Sequence, residues 1–530
     1  MRARTKVALK WCMFSLCGLG MMPALCTAAD HSFLSSYEGA KTCRQCHEEA
    51  VEEITHAIHY RLLGQVQGIY DYFTFNKPIT GEHGKGNRYC GLPGGVVGAN
   101  WAEEWTSAID PTHKKYAGCG ICHVSSGPDA LPVTPQGAPI EPTDAAKDQI
   151  DCLLCHAKTY DGGGQNGSRI VLTDSATGVK YWSTGTLADA RTVGGKVTTD
   201  ACKRCHINSG GKVFSPEGSL ERGYKYGNDF VAEPYELTYD TGLGSEETAT
   251  IDSDVHAAAG LRCAECHFIG EHKVRYGRHN VSWARDIVPD TFDCADCHVR
   301  PDRTAHQNSQ NAYKSILDQH TDFLACQTCH IRHVGGLVKR DLRYPVLPEG
   351  GYFYDFKDEV HYGITPEYRW FNGTSGSLEA VFEGPCPIGP RGSKKGHRSG
   401  DGSKITPFKR YEAFVWFDML VMQPVPYILK YFFVDGDLET AANRGMEQSG
   451  WLPPGTRYDF ATRKNLGIVF SFPMVCSLKV DHGVQTGEKA LGYATPENRQ
   501  GCNYCHSPDS TFWRYLGYTK SELQKLQKPR

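Results

Sequence analysis

The sequence predicts mainly short α-helices and irregular loops around one shared core, with little β-structure. A five-residue motif with two cysteines occurs eight times in 530 residues, which leaves roughly 63 residues per motif, too few for eight separate cores. Glycine and proline are frequent, with 57 and 28 residues, and both interrupt regular elements. The eight segments are therefore expected to share a core in a loop-rich chain.

The repeated motif is Cys-x-x-Cys-His, which is typical of covalent haem c attachment. Two thiols one turn apart can bond the two vinyl groups at one haem edge, and the following imidazole can reach the iron. Zinc ribbons and disulfides also use paired cysteines, but neither explains a histidine after every pair. The sequence predicts a multihaem cytochrome c with eight covalently bound haem c groups, numbered here in motif order.

Each motif supplies two attachment cysteines and one axial histidine. The cysteine pairs are Cys43 and Cys46, Cys119 and Cys122, Cys152 and Cys155, Cys202 and Cys205, Cys263 and Cys266, Cys294 and Cys297, Cys326 and Cys329, and Cys502 and Cys505. The axial histidines are His47, His123, His156, His206, His267, His298, His330 and His506.

Histidines outside the motifs are candidates for the second axial position. A haem iron with two imidazoles is an electron carrier, whereas an open iron can bind a substrate. Their positions favour seven second ligands, which are His56, His59, His256, His272, His306, His320 and His482. His31 and His83 are not in this set. A surface or hydrogen-bonded histidine is the alternative at each position, and the sequence does not assign a ligand to a particular haem.

Motif spacing divides the chain into four segments. The first seven motifs begin at most 76 residues apart, but 176 residues separate the starts of the last two. We therefore expect a signal peptide at 1–29, a haem-rich region with seven motifs at 30–330, a haem-free segment at 331–501, and the eighth motif with a C-terminal helix at 502–530. The aromatic-rich haem-free segment is expected to wrap the haem array.

The N-terminal residues predict export. Four basic and no acidic residues occur in 1–29, and the apolar stretch from Trp11 to Cys26 leads to small residues. This stretch is shorter than the roughly 20 residues that a membrane helix needs, so we expect a periplasmic or extracellular protein without a transmembrane span in the mature chain. The formal net charge is −3, and removal of 1–29 makes it more negative, which disfavours a nucleic-acid partner.

Several longer strings resemble the octahaem tetrathionate reductase family of exported c-type cytochromes. They are CRQCHEEAVEEITHAIHY around the first motif, DVHAAAGLRCAECH before the fifth, LDQHTDFLACQTCHI around the seventh, and PEYRWFNG, PIGPRGS, ITPFKR and DHGVQTGEKALG further on. The resemblance implies that haem 2 is catalytic, with a lysine on its distal side and a nearby asparagine and cysteine. In the string NRYC, Asn87 and Cys90 stand where those two residues are expected.

One position departs from the family pattern. The family's ligand lysine follows a Thr-Tyr pair, but this chain has Asp161 after Tyr160, and Lys158 is the nearest substitute. Asn87, Cys90 and Lys158 are thus the candidate catalytic residues. Cys90 is alternatively half of a disulfide with Cys386 or Cys476, the other two cysteines outside both the motifs and the signal peptide, and Cys386 with Cys476 is the pair that we predict.

Three functions remain open at this point. The first is a reductase of small sulfur or nitrogen oxyanions (tetrathionate, nitrite or hydroxylamine) at haem 2, with the other haems as an electron relay. The second is an electron conduit in which every haem has two histidine ligands, in a polymeric or extracellular form. The third is hydroxylamine oxidation, which needs a tyrosine cross-link to a haem. The expected partners are redox proteins or quinol-linked cytochromes and a small anionic substrate, and an oligomer is compatible with the sequence.

Overall fold

The structure is a computed structural model of the chain. It describes residues 31–84, 140–158, 170–206, 230–347, 354–377, 402–449 and 469–522, with short gaps inside these ranges, together with 124, 389–391 and 457–460. The signal peptide predicted at 1–29, the second motif at Cys119, Cys122 and His123, and the pocket candidates Asn87 and Cys90 lie outside the described residues, as does Cys386. For Cys205, His206 and Cys476 the backbone alone is described.

Most described helices are short, and several coincide with the haem motifs. The longest begins at Ala40 and carries the first motif in its first half. The helices are Ala40–Thr55, Ile58–Arg61, Asp144–Asp148, Leu153–His156, Leu187–Arg191, Thr199–His206, Val255–Ala258, Cys263–Cys266, Cys294–His298, Lys314–His320, Cys326–His330, Leu438–Ser449 and Gln500–His506, with 3-10 turns at Gly487–Lys489 and Phe512–Arg514.

Local capping residues fix where these short helices begin. Asp293 accepts a hydrogen bond from the Ala295 amide at 2.8 Å, while Asp296 accepts one from the Asp293 amide at 2.9 Å, which completes a capping box in front of the sixth motif. Asp254 caps Val255–Ala258 in the same way through the His256 amide. The helices are thus positioned by side chains next to the histidines that they carry.

Strands in the haem-rich region are short and form small sheets. β1 and β3 pair with each other, β2 joins β13 and β14, and β4–β5, β6–β7 and β8–β9 are two-stranded antiparallel sheets. Their bounds are β1 Leu63–Gln65, β2 Ile69–Asp71, β3 Glu82–Gly84, β4 Ile170–Thr173, β5 Lys180–Ser183, β6 Tyr235–Asp240, β7 Glu246–Ile251, β8 Ile269–Gly270 and β9 Lys273–Val274.

The haem-free segment contains a six-stranded sheet with much longer strands. The order is β11-β10-β15-β12, and β16 and β17 also pair with β15. Only the β10–β15 pair is parallel among the described pairs of this sheet. The bounds are β10 Val334–Val346, β11 Asp355–Ile364, β12 Glu367–Phe371, β13 Thr374–Ser377, β14 Gly389–Arg391, β15 Lys404–Asp418, β16 Gln423–Pro424 and β17 Val469–Lys479.

The prediction of little β-structure does not hold for this segment. β15 has 15 residues and pairs with β17 without a bulge from Phe408 opposite Lys479 to Asp418 opposite Val469. A segment without attached haem has to bury its apolar side chains against protein, and Phe408 and Ala413 of β15 are completely buried. Helix Leu438–Ser449 buries Ala441, Ala442 and Met446.

The core consists of several apolar clusters instead of one. Near the first and third motifs, Val51 and Tyr60 pack with Ile150 and Leu154. At the edge of the large sheet, Leu324, Tyr368 and Trp370 pack with Phe512 next to the eighth motif. Among the described residues, no helix is both long enough and apolar enough to cross a membrane.

Candidate haem sites

The described motif cysteines are free thiols placed on single helical turns. Both cysteines are described in motifs 1, 3, 5, 6, 7 and 8, and none of these thiols forms a disulfide. Residues three apart on a helix lie on the same face, so each pair presents its two thiols together. Within the described part, no group of three or more histidine, cysteine or acidic side chains is placed to hold a bare metal ion.

Six motif histidines each face a second histidine at nearly the same separation. The distances between ring centres are 6.0 Å for His47 and His31, 6.4 Å for His156 and His272, 6.1 Å for His267 and His482, 5.9 Å for His298 and His256, 6.2 Å for His330 and His306, and 6.1 Å for His506 and His320. A metal–imidazole bond is about 2 Å long, and the ligating nitrogen lies about 1 Å from the centre of its ring. Two imidazoles on opposite sides of one iron therefore have ring centres about 6 Å apart. The six pairs therefore fit haem iron.

Backbone carbonyls orient the imidazoles of three motif histidines. Nδ1 of His156 donates to Gly194 O at 3.3 Å, Nδ1 of His267 to Arg275 O at 2.9 Å, and Nδ1 of His330 to Gln485 O at 2.8 Å. A proton fixed on Nδ1 leaves the lone pair on Nε2, the nitrogen that a metal then binds. These three side chains are held in the tautomer that haem ligation needs.

Burial keeps these imidazoles neutral. It lowers the pKa of His156, His267 and His330, and the nearby histidines lower each pKa further. Only a neutral imidazole has a lone pair for a metal. The three side chains are therefore in the ligating form at neutral pH.

On the other side of the predicted haems, carboxylates instead of carbonyls contact Nδ1 of three histidines. Nδ1 of His272 lies 2.9 Å from Glu53 Oε2, Nδ1 of His256 lies 3.2 Å from Asp254 Oδ1, and Nδ1 of His306 lies 2.9 Å from Asp318 Oδ1. Asp254 raises the pKa of His256 through this hydrogen bond. These contacts also leave Nε2 of each ring directed away from the carboxylate.

The pairs join histidines from distant parts of the chain. His256 precedes the fifth motif but faces His298 of the sixth, and His482 precedes the eighth motif but faces His267 of the fifth. His272 follows the fifth motif but faces His156 of the third. Sequence distance is therefore a poor guide to which histidine serves which haem.

The remaining candidates are placed differently. His31, which the sequence-based set leaves out, faces His47, and its buried Nδ1 lacks a hydrogen-bond partner among the described residues. The only sequence signal for it is its position shortly before the first motif. His56 lies at the end of the first helix, half exposed, with Nδ1 donating to Glu52 O at 2.9 Å. His59 lies in helix Ile58–Arg61, and Lys158 is exposed beside Gly194.

Neighbouring motifs meet at their cysteines. The thiols of Cys43 and Cys152 hydrogen-bond to each other, and so do those of Cys294 and Cys326. Cys266 of motif 5 is close to Cys297 of motif 6, and Cys329 of motif 7 is close to Cys502 of motif 8. Motifs 5, 6, 7 and 8 thus form a continuous row, and motifs 1 and 3 form a second contact, which suits electron transfer over short distances.

Comparisons with known proteins agree with this geometry. Residues 255–338 match the family described as cytochrome c3, and residues 353–509 match the family described as bacterial cytochrome c. An uncharacterised protein of Archaeoglobus fulgidus is 28% identical over 272 residues, which cover 48% of this chain and 80% of that protein. The crystal structure of octaheme cytochrome c from Shewanella oneidensis is similar with a TM-score of 0.56 and 19% identity, over 95% of this chain and all of that one.

The structural similarity establishes the fold, and the family matches cover the region from the fifth motif to the eighth. Together with the paired cysteines and the axial histidines, they account for the cofactor that the repeated motif predicts. The fold is that of a multihaem c-type cytochrome, and the paired cysteines and histidines support the binding of haem c.

Proposed function

We propose that this protein is an exported octahaem cytochrome that passes electrons through six bis-histidine haems to haem 2, where a small sulfur or nitrogen oxyanion is reduced. The six histidine pairs carry this proposal. An iron between two imidazoles exchanges electrons without binding a substrate, since a substrate would first have to displace a strong ligand. Haems 1, 3, 5, 6, 7 and 8 are therefore assigned to electron transfer.

Haems 2 and 4 are the two for which no histidine pair is described, since the side chains of His123 and His206 lie outside the described residues. The family resemblance favours haem 2, since Asn87 and Cys90 match the expected pocket residues. The lysine expected after Tyr160 is absent, so the distal side of haem 2 is open, bound by water, or held weakly by Lys158. An oxyanion can bind such a site directly.

A conduit without catalysis is the alternative function, and one observation favours it. The residue after Tyr160 is Asp161 where the family has its ligand lysine. If a histidine takes that position instead, all eight haems carry two imidazoles and the protein serves only redox partners. The two functions differ in the state of one iron.

A ligand titration of the oxidised holoprotein separates the two functions. Cyanide or nitrite should perturb about one haem in eight, because the six paired irons are already saturated and the proposal takes haem 4 as a seventh haem with two histidine ligands. Cys90→Ala should lower turnover of tetrathionate, nitrite or hydroxylamine without changing the low-spin signals of the other haems. If every iron is low-spin, no haem responds to cyanide and no substrate is turned over, the reductase fails and the conduit stands.

A further inference from the structure

Hydrogen-bond acceptors at Nδ1 differ systematically between the two sides of the predicted haems. On the motif side, His156, His267 and His330 donate to neutral backbone carbonyls. On the opposite side, His272, His256 and His306 contact the carboxylates of Glu53, Asp254 and Asp318. Among the described side chains, no carboxylate hydrogen-bonds to His482 or His320, the rings opposite haems 5 and 8.

Haems 5 and 7 form a matched pair in this respect. Their motif histidines, His267 and His330, both donate to a carbonyl, at 2.9 and 2.8 Å. Their opposite histidines differ, because His306 contacts Asp318 at 2.9 Å whereas His482 contacts no carboxylate among the described residues. The hydrogen bond from a carboxylate to Nδ1 is therefore the difference between the two ligand sets, since Asp481, next to His482, accepts from Lys479 and Gln327 instead.

Two of the three carboxylates are locked in place by further hydrogen bonds. Asp254 is 1% exposed and also accepts the amides of His256, Gly483 and Val484 at 2.7 to 2.8 Å. Asp318 also accepts the Thr304 hydroxyl at 2.6 Å and the His306 amide at 3.1 Å. A carboxylate fixed in this way cannot turn away from the imidazole when the charge of the site changes.

We propose that Glu53, Asp254 and Asp318 are positioning residues that lower the reduction potentials of haems 3, 6 and 7 below those of haems 5 and 8. This inference rests on the proposed ligation. Each carboxylate draws the Nδ1 proton towards itself, which makes the imidazole a stronger donor and stabilises the ferric state more than the ferrous state. Reduction adds one electron from an external reductant to each iron, and both the axial bonds and the Nδ1 proton stay in place.

The reduction potentials then differ between the middle and the ends of the row formed by motifs 5 to 8. The middle haems, 6 and 7, have ligands hydrogen-bonded to a carboxylate, whereas no such bond to His482 or His320 at the end haems, 5 and 8, is found among the described residues. Electrons in a partly reduced protein settle on haems 5 and 8 and pass through 6 and 7. The row therefore holds electrons at its two ends.

Asp318→Asn tests the proposal, because asparagine keeps an oxygen acceptor and removes the charge. In a potentiometric titration followed by absorption and electron paramagnetic resonance, one haem component should become at least tenfold easier to reduce, a shift of about 59 mV for one electron. Its ferric signal should stay low-spin with altered g values. The matched control is Glu359→Gln, since Glu359 contacts His361 at 2.9 Å on β11, a histidine that pairs with no motif histidine among the described residues.

A shift no larger than that of Glu359→Gln, or conversion of a haem to the high-spin state, would overturn the electronic role of Asp318. Glu53→Gln is the second variant, with the same expectation for haem 3, and decides the question if Asp318→Asn yields no holoprotein. His306→Ala separates the two levels of the argument. If it leaves every haem low-spin, the proposed ligation itself is wrong; if it produces one high-spin haem while Asp318→Asn shifts nothing, only this inference fails.

Discussion

The haem-rich region and the haem-free segment differ in how they bury their apolar side chains. In the haem-free segment, β10, β11, β15 and β17 each have ten or more residues, and side chains such as Phe408 and Ala413 are completely buried. In the haem-rich region, helices Cys263–Cys266 and Cys294–His298 bury none of their own residues against protein. The comparison teaches that the fifth and sixth motifs depend on their cofactors for burial, whereas the sheet does not.

Backbone hydrogen bonds are among the contacts that join the two regions. Gln485 N donates to His330 O and Leu491 N donates to Cys329 O, both at 2.7 Å, and Val255 N donates to Val484 O at 3.0 Å. Residues 483–491 thereby fix the position of the seventh motif. The same stretch follows His482, so the haem-free segment both supports the haem array and supplies one of its ligands.

Production of the full chain without haem attachment should give the largest effect. We expect amides in helices Cys263–Cys266 and Cys294–His298 to exchange with solvent at rates close to those of an unfolded chain, because their burial partner is missing. Amides of β10, β15 and β17 should keep most of their protection. Hydrogen exchange followed by mass spectrometry measures both, and equal loss in the two regions would refute the comparison.

The buried ion pair of the sheet should give the next largest effect. Arg340 on β10 is completely buried, and its Nε and Nη2 donate to Asp358 on β11 at 2.8 and 2.6 Å. Asp358→Asn leaves a buried guanidinium charge without its partner and should lower the free energy of unfolding by about 3–5 kcal/mol. The haem absorption spectrum should not change, since the pair belongs to the sheet.

A surface ion pair is the control for Asp358→Asn. Arg444 and Glu447 are 3.4 Å apart and mostly exposed in helix Leu438–Ser449, so Glu447→Gln should change the free energy of unfolding by less than about 1 kcal/mol. Denaturant titrations of the holoprotein measure the free energy of unfolding of both variants. Equal losses in the two variants would show that the sheet is not an independent core.

Local chemistry was predictable from the sequence wherever it is set by short spacing. The paired thiols, the motif histidines and the short helices that carry them follow from five consecutive residues, as in Cys326–His330. The partner of a motif histidine is fixed by tertiary packing instead. His482 lies opposite His267, and Asp254 holds the chain next to it by accepting the amides of Gly483 and Val484. Nothing in the sequence near either histidine indicates that contact.

The large sheet was missed although part of its signal is present. From Ala413 to Phe417 five apolar residues follow one another, three of them aromatic, and such a short apolar run is typical of a buried strand. The aromatic residues of this segment were interpreted as a cover for the haems, because the expectation of a shared haem core was extended to the whole chain. The correct signal was the absence of motifs itself, since residues without a haem need another apolar partner.

His482→Ala should lower stability less than Asp358→Asn does. It tests whether the haem-free segment supplies a ligand to a haem of the haem-rich region. The haem on the fifth motif stays attached through Cys263, Cys266 and His267, and Asp254 still holds the amides of Gly483 and Val484. We expect a smaller loss of stability than for Asp358→Asn, but one additional high-spin haem that binds cyanide. His361→Ala is the matched control, because His361 lies in the same segment and contacts Glu359. If His482→Ala and His361→Ala give the same spectra, His482 is not a ligand, and the haem-free segment only packs against the haems.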